Sequence, residues 1–148
     1  MRLATVEETR DFGRSLAAEL RQGDLVILSG PLGAGKTALT QGIGAGLGIE
    51  GRVTSPTFVI ARVHRGALPL VHVDAYRLSG ELDDLEIDED LERSVVVVEW
   101  GEGVVESLAE SRLLVRIERH NDESRTVTVT GVGPRWEGHP FSRSAPCP

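Results

Sequence analysis

The sequence predicts an α/β domain whose sheet mixes parallel and antiparallel strands, and three features carry that expectation. A short apolar run, Asp24 to Ser29, leads straight into the glycine-rich stretch Gly30 to Thr37, after which Ala38 to Ile43 takes up helix-like apolar spacing. Two extended runs, Phe58 to Val63 and Leu68 to Val73, flank the turn-like His64 to Ala67 and read as an antiparallel hairpin. Val95 to Val98 is an unbroken run of β-branched residues, suited to the middle of a sheet covered on both faces.

The remaining elements follow in order. Thr5, with Glu8 three residues on, forms a capping-box pattern, and Phe12, Leu16, Ala17 and Leu20 fall on one face, so an amphipathic helix precedes the first apolar strand. Gly48 to Thr57 is polar and turn-rich. Asp83 to Glu92 interleaves carboxylates with Leu85, Ile87 and Leu91, which fits short helical turns whose acidic face is either solvated or partner-binding. A helix is expected from Gly103 to about Ala109, and Leu113 to Ile117 then pairs with Thr126 to Thr130 around Asn121 and Asp122. From Gly133 onward Pro, Gly, Ser and Arg dominate, which predicts one domain over residues 1–132 and a disordered tail over 133–148. No internal repeat is present.

Composition narrows the possible functions. A chain of 148 residues buries a sizeable core but leaves no room for a separate substrate domain. With 16 basic against 23 acidic residues, net charge −7, no global positive field draws in nucleic acid, so direct RNA or DNA binding is disfavoured. Cys147 is the single cysteine, which excludes an intrachain disulfide and cysteine-based metal spacing. No apolar run approaches the roughly 20 residues of a membrane helix, and the amino terminus lacks a secretory pattern. The expectation is a soluble, cytoplasmic protein.

Gly30-Pro31-Leu32-Gly33-Ala34-Gly35-Lys36-Thr37 fully matches the phosphate-binding pattern G-x-x-x-x-G-K-[ST]. Lys36 is the only lysine in a chain with fifteen arginines. An ammonium is a compact point charge that reaches between phosphates under a tight loop, whereas a planar guanidinium is too large for that nest. Glycines let the loop turn its amide groups inward, and the following helix start places partial positive charge beneath the phosphates. Thr37 is therefore expected to give its hydroxyl to Mg²⁺ and Lys36 to neutralise the β- and γ-phosphates of ATP or GTP.

A carboxylate must complete such a metal site. Glu99 ends the buried valine run, where proteins of this kind place an acidic residue; it can bind Mg²⁺ directly, act through water, or polarise the attacking water. In His72-Val73-Asp74-Ala75-Tyr76-Arg77, period-two alternation puts His72, Asp74 and Tyr76 on one side. Asp74 then either helps hold metal-bound water or forms a structural ion pair with Arg77. Thr54-Ser55-Pro56-Thr57 lies where nucleotide switches place hydroxyl residues that sense the γ-phosphate.

Taken in order and spacing, residues 30–37, Thr54 to Phe58, His72 to Leu78 and Val98-Glu99-Trp100 resemble the bacterial ATPases of tRNA threonylcarbamoyladenosine biosynthesis, the TsaE family. The resemblance spans roughly residues 3 to 131 and implies a three-layer P-loop NTPase fold with a mixed sheet. It implies a Mg²⁺-dependent ATPase joined to a threonylcarbamoyl transferase subunit (TsaD) and its paralogous partner (TsaB), serving modification of adenosine 37 in tRNA that other subunits grip. Carried onto this chain, it gives Gly33, Ala34, Gly35, Lys36, Thr37 and Ala38 to the phosphates, Thr37 and Glu99 to Mg²⁺, and Asp74 and Thr57 to the γ-phosphate region. Val6, Thr9 and Gly103 would contact the nucleotide. Ala38 departs from relatives with a hydroxyl residue there, which would leave only its backbone amide for a phosphate.

Three other readings compete. A GTPase generally needs an Asn-Lys-x-Asp base-reading loop, which a chain with its only lysine at position 36 cannot supply. A small-molecule P-loop kinase needs a lid and an acceptor pocket, for which 148 residues leave little room. A nucleotide-dependent binding module with incidental hydrolysis differs only in what cleavage accomplishes. No water-positioning glutamine or arginine finger is evident in cis beyond Arg77, so low activity alone and stimulation by partners are expected.

Overall fold

The computed structural model describes residues 2–30, 35–49, 61–64, 68–74, 94–99, 111–122 and 124–138. Its elements are β1 (Arg2–Leu3), α1 (Val6–Ala17), β2 (Leu25–Ser29), α2 (Lys36–Gly46), β3 (Ala61–His64), β4 (Leu70–Asp74), β5 (Val95–Glu99), β6 (Arg112–Arg119) and β7 (Arg125–Val132), closed by a 3₁₀ turn at Pro134–Trp136. One seven-stranded sheet has the order β1-β7-β6-β2-β5-β4-β3. Strands β4, β5, β2 and β6 run parallel, and β3, β7 and β1 add antiparallel edges, giving the expected mixed α/β sheet.

The parallel centre explains the apolar runs. Leu25 to Leu28 and Val95 to Val98 are each at most 1% exposed, as strands covered on both faces require. One face carries Val26, Leu28, Leu70, Val95, Val97, Leu113 and Val115, which join Leu16, Leu20, Leu39 and Ile43 from the α1–α2 side in a single core. The expected antiparallel pairing is present between β3 and β4, with Arg62 opposite His72 and His64 opposite Leu70. The second antiparallel pair is longer than its apolar alternation suggested, running from Arg112↔Val132 to Arg119↔Arg125. At its turn Asp122 accepts hydrogen bonds from the backbone and hydroxyl of Ser124, which hold its carboxyl below the ordinary carboxylate range. The acidic stretch at 83–92 and the helix expected from 103 lie outside the described residues.

Helix α1 starts at the expected cap: Thr5 Oγ1 accepts from the Glu8 amide at 3.1 Å, while the Glu8 carboxylate accepts from the amide of Ala4, one residue before the cap, rather than from that of Thr5. Its core face holds Leu16 and Ala17, with Leu20 following the helix end and Phe12 partly buried. The helix lies unusually close to α2. A β-carbon at Gly42 would stand 2.0 Å from the Arg10 carbonyl oxygen, one at Gly13 would stand 2.4 Å from the Leu39 carbonyl oxygen, and one at Gly46 would meet Ala17 at 2.5 Å. Glycines that are poor helix formers thus occupy α2 because the backbones touch.

The carboxyl end of the domain corrects one expectation. Rather than beginning a disordered tail at 133, Gly133 leads into the 3₁₀ turn, and Trp136 is 1% exposed within the core. Arg135 stacks 4.1 Å above the Trp136 ring and donates to the buried Asp24 carboxylate at 3.1 and 3.2 Å and to the Glu19 carbonyl at 2.8 Å. A large apolar side chain and a satisfied ion pair outweigh the local Gly-Pro composition. Residues 139–148 lie outside the described residues. No helix among the described residues is long and apolar enough to cross a membrane.

Gly42→Ala tests the helix contact. Alanine is the better helix former by about 1 kcal/mol, yet the clash with backbone atoms should produce a net loss of roughly 2 kcal/mol in urea unfolding, the scale of overpacking. An unchanged or raised midpoint would show that the two backbones are not in contact.

Candidate functional site

Parallel strands aim their carboxyl ends at one edge of the sheet, and β2, flanked by β5 on one side and β6 on the other, is where the connections diverge. Open α/β sheets bind ligands in the crevice at that point. Strand β2 ends at Ser29, and α2 begins at Lys36 with Gly35 as its N-cap. Gly35 has φ +108°, left-handed backbone that an L side chain enters only under strain. No side chain caps α2 and its first turn holds no acidic residue, so this helix start is not already matched to a carboxylate of its own.

Lys36 opens α2, is 6% exposed, and donates from Nζ to the Gly30 carbonyl at 2.7 Å. The lysine therefore folds back toward the end of β2, where Gly30 follows the strand. Thr37 and Ala38 are half-buried in the same first turn. Thr40 is buried, and its hydroxyl donates to the Lys36 carbonyl at 2.8 Å, tying the turn beneath the loop. Gly33 and Ala34 lie outside the described residues, as do Thr57 and Gly103.

Glu99 ends β5 in register with Leu28 of β2 and Asp74 of β4. Strands lie about 4.8 Å apart, so this carboxylate stands beside the strand that launches the glycine loop, with the Asp74 position on its other side. Only 5% of Glu99 is exposed, and its Oε2 lies 2.9 Å from His72 Nε2. Val6 is half-buried at the start of α1, whereas Thr9 has no exposed surface and its hydroxyl donates to the Thr5 carbonyl at 3.2 Å, closing the helix's first turn.

Two residues near this edge carry no local signal in the sequence. His72 was visible only as one member of an alternating strand; its contact with Glu99 follows from the β4–β5 register. Arg125, 8% exposed on β7, lies against the loop's end: a β-carbon on Gly35 would stand 2.9 Å from its Nε. The two are ninety residues apart in a chain of 148, and only the order β7-β6-β2 brings them together.

The donor set suits a hard divalent cation held largely by phosphate and water. Among the described residues no group of three or more His, Cys, Asp or Glu side chains is arranged to hold a metal by itself. Mg²⁺ in nucleotide sites takes one or two protein oxygens besides phosphates and water, and a hydroxyl such as that of Thr37 and a carboxylate such as that of Glu99 are oxygens of the kind that could serve.

Fold and site together define a P-loop nucleotide-binding class of protein. A family model described as threonylcarbamoyl adenosine biosynthesis protein TsaE matches residues 3–127, and the chain belongs to that family. It is 63% identical over 137 residues to the Streptomyces coelicolor tRNA threonylcarbamoyladenosine biosynthesis protein TsaE, covering 86% of this chain and 93% of the relative. The Bacillus subtilis protein of the same name is 43% identical over 138 residues, covering 92% of this chain and 87% of that one. The crystal structure of Bacillus subtilis YdiB superposes with a TM-score of 0.77 at 38% identity, covering 93% of this chain and 88% of that one.

A double-mutant cycle checks the packing at Gly35. Gly35→Ala should cost about 1–2 kcal/mol from left-handed backbone alone, and more because Arg125 fills the space. In an Arg125→Ala background the cost should shrink toward the backbone value. Equal costs in both backgrounds, by urea unfolding, would remove Arg125 from the loop's support.

Proposed function

We propose that the protein is a Mg²⁺-dependent ATPase that acts with a threonylcarbamoyl transferase complex in forming N6-threonylcarbamoyladenosine at position 37 of tRNA. The observation that carries this reading is the juxtaposition at one sheet edge: Lys36 Nζ sits 2.7 Å from the Gly30 carbonyl at the loop's base, and Glu99 ends the strand next to β2. Membership of the TsaE family supports the tRNA pathway.

In this reading the amides of Gly33 to Ala38 cradle the phosphates and Lys36 exchanges its carbonyl contact for the β- and γ-phosphate oxygens. The Thr37 hydroxyl and the Glu99 carboxylate would hold Mg²⁺, which would supply positive charge against the phosphates. Asp74 stands in register with Glu99 to orient water, and Thr57 belongs to the γ-phosphate switch. Val6, Thr9 and Gly103 belong to the nucleotide's surroundings. ATP is favoured over GTP because Lys36 is the only lysine and is committed to phosphate.

The partners are the threonylcarbamoyl transferase subunit and its paralogue, and the tRNA is met only through them. Net charge −7 supports this division, since a protein that gripped RNA phosphates directly would gain from the opposite sign. Action in the cytoplasm, and a functional domain that reaches Trp136 as its carboxyl-terminal anchor, belong to the same reading.

The test measures ATP hydrolysis by the purified chain with Mg²⁺, alone and with the transferase pair. Turnover should be low alone and rise with the pair. Lys36→Ala should weaken ATP binding by about 10- to 100-fold, the scale of a charged hydrogen bond, whereas Glu99→Gln should keep binding at saturating Mg²⁺ and lose hydrolysis by roughly 10²-fold or more. Equal loss of binding in both variants would remove the role given to Glu99. Tight ATP binding without hydrolysis in either setting would favour the binding module, and γ-phosphate transfer to a metabolite would favour a kinase.

A further inference from the structure

The imidazole of His72 is an expensive side chain for its location. It is 0% exposed, on a strand whose neighbours Leu70, Val71 and Val73 and cross-strand partner Val97 are all buried aliphatic residues. A polar ring there costs free energy unless its hydrogen bonds are met. One is met: Nε2 lies 2.9 Å from Glu99 Oε2. Nδ1 is buried and has no hydrogen-bond partner among the described residues. An aliphatic residue would fill this place in a valine-rich sheet at lower cost, because buried polar pairs seldom out-stabilise apolar packing of similar volume.

We infer that His72 is a positioning residue for Glu99: by donating from Nε2 to Oε2 it fixes the carboxylate's orientation and leaves Oε1 as the oxygen directed to Mg²⁺ or its water. The inference rests on the reading of Glu99 as the carboxylate of a Mg²⁺–ATP site. A carboxylate accepts but cannot donate, so the ring atom facing it carries the hydrogen. The ring's one polar contact among the described residues is thus an oriented one.

Orientation matters for this cation in particular. Mg²⁺ demands near-ideal octahedral geometry, so a carboxylate that swings between rotamers, or presents both oxygens, fits poorly. Partners behind a metal ligand commonly alter metal affinity 10- to 100-fold while touching neither metal nor substrate. The β4–β5 register supplies the rigidity: His72 pairs with Val97 and Asp74 with Glu99, so ring and carboxylate ride on adjacent, fully hydrogen-bonded strands rather than on a loop.

The experiment follows ATP binding to the full chain by calorimetry, in EDTA and across a Mg²⁺ titration, for wild type, His72→Leu and His72→Gln. Leucine keeps volume and removes the donor; glutamine returns an N–H near the Nε2 position. His72→Leu should bind ATP in EDTA as wild type does, but need about 10- to 100-fold more Mg²⁺ for the half-maximal gain in affinity. His72→Gln should stay within roughly threefold of wild type, as expected if a donor alone is required.

An unchanged Mg²⁺ requirement in His72→Leu, or a loss in His72→Gln as large as in leucine, would overturn the inference while leaving the ATPase reading intact. A wild-type chain whose ATP affinity ignores Mg²⁺ would overturn the functional reading and this inference with it. Should the leucine variant not fold, the glutamine variant and the ¹⁵N chemical shifts of His72 in the ligand-free wild type decide. A protonated Nε2 with an unprotonated Nδ1 supports the inference, and the reverse tautomer sinks it.

Discussion

The parallel register of β2, β5 and β4 is the constraint on which the rest of the molecule depends. Leu28, Glu99 and Asp74 stand side by side at the carboxyl ends of three adjacent strands. A one-residue slip of β5 would turn Glu99 to the opposite face, away from His72, and would carry Val95 and Val97 out of the core they share with α1 and α2. The ends of the valine run hold the register: Val95 to Val98 are wholly inaccessible, and a slip would draw Ser94 or Glu99 into a valine's place. The chemistry at the sheet edge therefore inherits its geometry from the hydrophobic effect.

The second constraint is the contact between α1 and α2. Three helical glycines bring the two backbones together, so α2 does not rely on helix propensity; it is held from its side by α1 and from beneath by Leu39 and Ile43 in the core. This fixes the position of the helix whose first residue is Lys36. The amino-terminal cap is thus linked to the loop: a frayed α1 would loosen the wall against which α2 rests. Arg135 and Trp136 act at the opposite end of β2, where Asp24 precedes the strand and takes the guanidinium.

Buried polar groups are distributed in keeping with these two constraints. Asp24 is paired with Arg135, and Thr9 and Thr40 return their hydroxyls to helical carbonyls. These are structural uses, each with its hydrogen bond met locally. Lys36, His72 and Glu99 differ in standing close to the carboxyl edge of the sheet, on elements whose neighbours are apolar. A charge held in such surroundings interacts more strongly with a ligand than it would in water, which fits the family's nucleotide-binding fold.

Much of this was legible in the sequence. The loop motif, the strand before it and the helix after it depend on local pattern, as do the cap at Thr5 and the antiparallel pairing of β3 with β4. Glu99 was legible as the end of an apolar run, and Lys36 through its singularity among fifteen arginines. What local pattern lacks is the order of strands and the distance between backbones. The two-residue β1 is too short to show periodicity, the glycines of α2 read as helix-weakening until Arg10 is seen against Gly42, and Trp136 sits in a segment whose composition reads as tail. Likewise His72 meets Glu99, and Arg125 meets Gly35, only through pairing between segments far apart in the chain. Sequence determined which residues can do chemistry, because residue type and short spacing set local conformation and donor capacity. Tertiary structure decided which of them meet, because strand order and close packing are properties of the whole buried core rather than of any one stretch.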